Sequence, residues 1–96
     1  MNLRLKSAYS QLKQRRLDAL LVSLPANISY LTESLSRDAY LLVSGKGNIY
    51  FTDSRYTEEA GAFLKDNAKL KECDGPVFKC IAQAILDLGL KRIGFE

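Results

Sequence analysis

Apolar residues along the chain change their spacing several times, and each change marks a boundary between elements. Leu5, Ala8, Tyr9 and Leu12 recur at the helical period, while Arg4, Lys6, Lys13 and Arg15 fall largely elsewhere on the surface. Asp18 to Ser23, "DALLVS", is continuously apolar rather than alternating. Such a strand is buried on both faces, and is expected in the middle of a sheet covered by helices. Pro25 opens a short helical stretch, "PANISYLT", with Ile28 and Leu31 on one side. Ala39 to Ser44 and Asn48 to Thr52 read as strands, and the "GKG" between them predicts an antiparallel hairpin.

After Phe51 the period becomes helical again. Tyr56, Ala60, Phe63 and Leu64 mark a helix ending near Asn67. Lys69 to Cys73, "KLKEC", is a poor strand with two lysines, as expected at a sheet edge. "DGP" makes the next turn and puts Pro76 at a helix start. Val77, Ile81, Ile85 and Leu88 form the buried stripe of that helix, and Gly89 is placed to cap it. A last strand begins near Arg92. The predicted order is therefore α-β-α-β-β-α-β-α-β, an α/β fold. It should contain a mixed, mostly central-parallel sheet of about five strands with helices on both faces. Residues 1–96 make one domain, and its last element looks unfinished, so the domain is expected to be truncated at its C-terminal end.

Composition narrows the function classes. The chain has 47% apolar and 26% charged residues, as in an ordinary soluble globular protein. It has no apolar run of membrane-span length and no secretory leader, so the cytoplasm is the expected compartment. Its net charge of +3 is a weak pointer to a polyanion. No aromatics interleave with the basic residues of the first helix to stack bases, so a nucleic-acid partner is disfavoured. There is no His. The two cysteines, Cys73 and Cys80, match neither a C-x-x-C redox pair nor a zinc site, and read as buried or half-buried thiols. There is no phosphate loop and no G-x-G-x-x-G.

Two polar clusters remain. "FTDSRY" carries Asp53, Arg55 and Tyr56 at a strand-to-helix junction. Asp53 reads as the N-cap of the following helix, Arg55 as its ion-pair partner or that of another acid, and Tyr56 as the start of the buried stripe. The rival role for Asp53, a general base, lacks a neighbouring His, Lys or second acid in a motif. The other cluster is the loop "TESLSRD", with Glu33, Ser34, Ser36, Arg37 and Asp38. Polar loops at strand ends of α/β folds often line sites, although most such loops are solvated connections.

Taken in order, "LDALLVSLPANISYLT", "AYLLVS…NIYFTDSRYTEEA" and "LKRIGFE" resemble the N-terminal domain of the Xaa-Pro aminopeptidase, prolidase and creatinase family, the pita-bread metallohydrolases. The resemblance runs from about Leu17 to Glu96. It departs from the family pattern after "Y-L-T", where Glu33-Ser34 stand in place of Gly-Phe.

The resemblance implies a ribonuclease H-like domain that does no catalysis itself. It implies roles in building a homo-oligomer and in reaching toward a partner's active-site entrance through Glu33 to Asp38. It also implies a missing C-terminal catalytic domain holding two divalent metals (manganese, cobalt or zinc) and acting on proline-containing peptides. No catalytic or metal-binding residue can be carried onto this chain. From the residues alone, the alternative is a stand-alone α/β module for a small anionic ligand, or a basic nucleic-acid-binding domain.

Overall fold

The computed structural model describes residues 1–34, 36 and 38–96. Nine elements follow in the predicted order. They are α1 (Leu3–Gln14), β1 (Ala19–Val22), α2 (Pro25–Thr32), β2 (Tyr40–Ser44) and β3 (Ile49–Thr52), then α3 (Thr57–Leu64), β4 (Lys69–Glu72), α4 (Val77–Leu88) and β5 (Ile93–Phe95). Asn2 caps α1 by accepting the Leu5 N–H on its Oδ1 at 2.8 Å. Gly89 ends α4 in the left-handed region, and the N–H groups of Gly89 and Leu90 return to the carbonyls of Leu86 and Ile85.

The five strands form one sheet in the order β4-β3-β2-β1-β5. The hairpin β2–β3 is antiparallel, as "GKG" predicts, and β4 lies at an edge. Two details differ from the sequence reading. The centre is antiparallel (β1 with β2, β2 with β3), and both parallel pairings, β3–β4 and β1–β5, lie at the outside. The middle strand is β2, whereas β1 is an interior neighbour. A continuous apolar run reports burial on both faces, and any interior strand meets that condition. It does not say which neighbour is parallel.

Alternation sorts the strand residues between two cores. Val22, Leu41, Val43 and Tyr50 face α1, α2 and α3, where Leu5, Leu12, Ile28, Leu31, Ala60 and Leu64 meet them. Ala19, Leu21, Leu42 and Phe51 face the opposite side, where α4 supplies Ile81. One helix thus covers a face that three share on the other side. Val77, Ile85 and Leu88 of the predicted α4 stripe are accordingly only half-buried.

The cysteines also depart from the sequence reading. Cys73 and Cys80 are joined as a disulfide, with Cα atoms 5.9 Å apart. The turn through Asp74, Gly75 and Pro76 folds the end of β4 back onto the first turn of α4 and so brings the two residues together.

Candidate functional site

At one end of the sheet, the C-terminal ends of β1, β3 and β4 converge with the start of β2 and the first residues of α2 and α4. They enclose an open cleft of about 380 Å³. Ligands of open α/β sheets collect at such an end. Its polar wall combines the two clusters singled out in the sequence: Asp38 from the loop, and Asp53 and Arg55 from "FTDSRY".

Asp53 does not cap α3. The helix starts at Thr57, and its cap residue is Tyr56, half-buried and without a side-chain cap bond. Instead, Asp53 Oδ1 accepts the Arg55 N–H at 2.9 Å, closing a two-residue Asx turn. Its carboxylate also receives the Arg55 guanidinium in a fork, Nε to Oδ1 at 3.0 Å and Nη2 to Oδ2 at 2.7 Å. The side chain is thereby spent on "DSR" itself, and the helix begins one turn later. The Thr57 hydroxyl lies 2.7 Å from Glu72 Oε1 and 3.0 Å from the Asp53 carbonyl oxygen, two acceptors that share its one proton and tie this junction to β4.

Arg55 links the clusters. Its Nη2 lies 3.7 Å from Asp38 Oδ2, and its guanidinium stacks 4.9 Å from the centre of the Tyr56 ring. The hydrogen bonds from Arg55 hold the Asp53 carboxyl below its ordinary value, and the same bonds raise the Arg55 guanidinium. A carboxylate held ionised by a forked arginine is a poor proton acceptor.

The loop residues take different parts. Glu33 sits at the C-cap of α2 in the left-handed region, with φ of 57°, where a glycine fits without steric cost. The resembled family's glycine at this position thus has a backbone reason. Ser34 stays local, with its hydroxyl 3.1 Å from that of Thr32. Ser36 is 7% exposed. It donates its N–H to Ser29 Oγ, and its hydroxyl meets Tyr50 Oη at 2.9 Å. Ser36 therefore anchors the loop from beneath, and Glu33 and Asp38 are its exposed acids. Arg37 lies outside the described residues.

Two further features were not singled out in the sequence. Thr52 Oγ1, at the end of β3, is buried without a hydrogen-bond partner among the described residues. Glu96 clamps the start of α2. Its Oε1 accepts the N–H groups of Ser23 (2.5 Å) and Leu24, and its Oε2 accepts Asn27 Nδ2 at 2.6 Å. The only trace of this in the sequence is that the acid of "RIGFE" has a helix start, "PAN", to meet.

Burial pushes the Glu96 carboxyl upward. The donors from Leu24, Asn27 and Ser23 together outweigh it and hold the group below its ordinary value. A folded value below the unfolded one contributes stability above the unfolded pKa of about 4.3, and that stability is lost as pH falls through the folded value. Glu96→Gln is thus expected to flatten the fall in stability between about pH 5 and pH 3, measured by urea unfolding at each pH. Parallel wild-type and variant curves over that window would remove Glu96 from the acid response.

Among the described residues, no group of three or more His, Cys, Asp or Glu could hold a metal, and no helix is long and apolar enough to cross a membrane. Comparison with known proteins connects this architecture to a family. The profile of the Creatinase/Prolidase N-terminal domain matches residues 4–96. An uncharacterized peptidase, YqhT from Bacillus subtilis, is 29% identical over 93 residues, covering 97% of this chain and 25% of that protein. The N-terminal domain of the cytoplasmic peptidase PepQ from Mycobacterium tuberculosis superposes with a TM-score of 0.87 at 26% identity, over 100% of this chain and 74% of that one. An Xaa-Pro aminopeptidase from Streptococcus pyogenes gives 0.86 at 32% identity, over 96% and 70%. The chain spans about a quarter of the length of the Bacillus relative, and it belongs to the Creatinase/Prolidase N-terminal domain family.

Proposed function

We propose that this chain is the N-terminal, non-catalytic domain of a longer Xaa-Pro aminopeptidase or dipeptidase of the cytoplasm, where it serves homo-oligomer assembly and substrate access. The observation that carries the reading is the cleft at the sheet end. There Arg55 joins the loop bearing Asp38 to Asp53, so a recognition surface is built without a proton-transfer group. Relatives named as Xaa-Pro peptidases support the substrate class, proline-containing peptides.

Two divalent ions would belong to the catalytic domain of such a parent. The residues here do not fit them: the chain has no His, and its described acids do not cluster into a metal site. No catalytic step falls to this chain. The edge strand β5, with Phe95 72% exposed, supports a further covering element, either more of the same domain or a second copy.

The test uses the full-length parent. Arg55→Ala is expected to raise KM for an X–Pro peptide several-fold while kcat and bound metal stay unchanged, because a group that orients the entrance acts on binding. An unchanged KM overturns the access role. The isolated chain is expected to show no X–Pro hydrolysis with added manganese or cobalt, and turnover that survives purification would overturn the non-catalytic reading.

A further inference from the structure

The disulfide that spans the turn from β4 to α4 lies between two open hollows. Cys73 lines the cleft, and Cys80 lines a groove between β4 and α4. We propose that this bond is a thiol–disulfide exchange site for low-molecular-weight thiols, and that its redox state sets how firmly the start of α4 closes the cleft. The proposal rests on the cytoplasmic reading above, because a disulfide in such a compartment is as a rule transient or redox-sensing.

Backbone contacts also place the two residues. The Cys73 N–H donates to the Thr52 carbonyl at 2.8 Å, which continues the β3–β4 ladder past Glu72. The Cys80 N–H donates to the Pro76 carbonyl at 3.3 Å, in the first turn of α4. Gly75, with φ of 119°, makes the reversal between them. Two thiols at the ends of so short a loop stay neighbours after reduction and close again readily. A Cys80 thiolate would also sit in the first turn of α4, where the helix N-terminus favours negative charge and so stabilises the reduced form.

The bond is open to a small reagent. Cys80 is half-buried, and the groove beside it has a volume of about 640 Å³. Its lysines (Lys69, Lys71 and Lys79) balance its acids (Glu72, Asp74 and Asp87), so an anionic thiol is not repelled. Exchange takes two steps. A thiolate attacks one sulfur of the bond, forming a mixed disulfide there while the other cysteine leaves as a thiolate. A second small thiol then attacks the mixed disulfide, departs with the first as their own disulfide, and leaves two cysteine thiols. Two electrons pass to the chain, with the protons of the two small thiols.

What the bond restrains is the start of α4. This helix alone covers its face of the sheet, and its cap residue, Pro76, makes no side-chain cap bond. Gly75 and Val77 line the cleft with Cys73, and the Phe78 ring packs edge-on to Tyr40, another cleft residue, with centroids 5.2 Å apart. Cys73 stays on the sheet when the bond opens, since the Thr52 carbonyl holds it. Val77 and Phe78 are then the parts released, and the cleft wall moves with them.

The test is a redox titration of the purified chain in reduced and oxidised glutathione. Alkylation trapping read by mass follows the bond, and hydrogen exchange follows the backbone. An excess of reduced glutathione of about a hundredfold is expected to open the bond. Opening should speed exchange about tenfold across residues 77–84 and leave β1 and β2 unchanged. Cys73→Ser with Cys80→Ser should exchange at the fast rate in either buffer. A bond that stays closed under that excess is a permanent staple, which overturns the proposal. So do unchanged exchange in α4 on opening, slow exchange in the double variant, or loss of protection through the whole sheet. The titration itself needs only the wild-type chain, so a double variant that fails to fold leaves it decisive. It does not involve Arg55, so its failure is separate from failure of the access role.

Discussion

Phe51→Ala is expected to destabilise the domain by about 3–5 kcal/mol, a large part of the total stability of a chain this size. Phe51 is 0% exposed, and its core depends on α4 alone among the helices. On the other face, three helices can shift toward a void. Here a single helix bridges Ala19, Leu21, Leu42 and Phe51, so the hole left by the ring has fewer neighbours able to close it. Urea unfolding measures the effect, with Leu5→Ala in the three-helix core as the comparison. A loss below about 1 kcal/mol for Phe51→Ala would show that α4 packs loosely enough to collapse into the space.

Tyr50→Phe is expected to cost about 1–2 kcal/mol, because it leaves the buried Ser36 hydroxyl without the phenol oxygen 2.9 Å away. The ring stays in place, edge-on to Phe63 with centroids 5.7 Å apart, so the loss reports on what the phenol hydroxyl bonds rather than on packing. Faster limited proteolysis within residues 33–38 should accompany it, since Ser36 pins the loop to β3. Ser36→Ala should lose no more than Tyr50→Phe does. If both variants match the wild type in stability and cleavage rate, the loop is held by something other than this pair.

The element order was legible because each element carries its own periodicity, and because Pro25, "GKG" and Gly89 mark breaks whose backbone meaning is local. Strand neighbours were not, since pairing is decided across the sheet. "DALLVS" announces burial on both faces but is silent on β2 being central. The site was half legible. Asp53 and Arg55 could be seen as a possible pair, but a cap and an Asx turn use the same residue type at nearly the same place, and only the start of α3 at Thr57 separates them. That Arg55 also reaches Asp38 depends on the antiparallel return of β2 and β3. The inward turn of Ser36 had no local signal, because a serine within a polar loop reads the same whether it faces water or Tyr50.

The pairing of β1 with β5 sets an order of events in time. Asp18 and Arg92 bond across 74 residues, and α4 must carry the chain from one edge of the sheet to the other before they meet. The β2–β3 hairpin closes over a few residues and can form as soon as it exists, with β1 adding beside β2 soon after. β5 can add only after β2 through α4 have been made, at the largest loop-closure cost in the sheet. On a ribosome, β1 would therefore wait with one edge open for the whole synthesis of β2 through α4. During that interval its free N–H and C=O groups can be taken by any extended strand that arrives first.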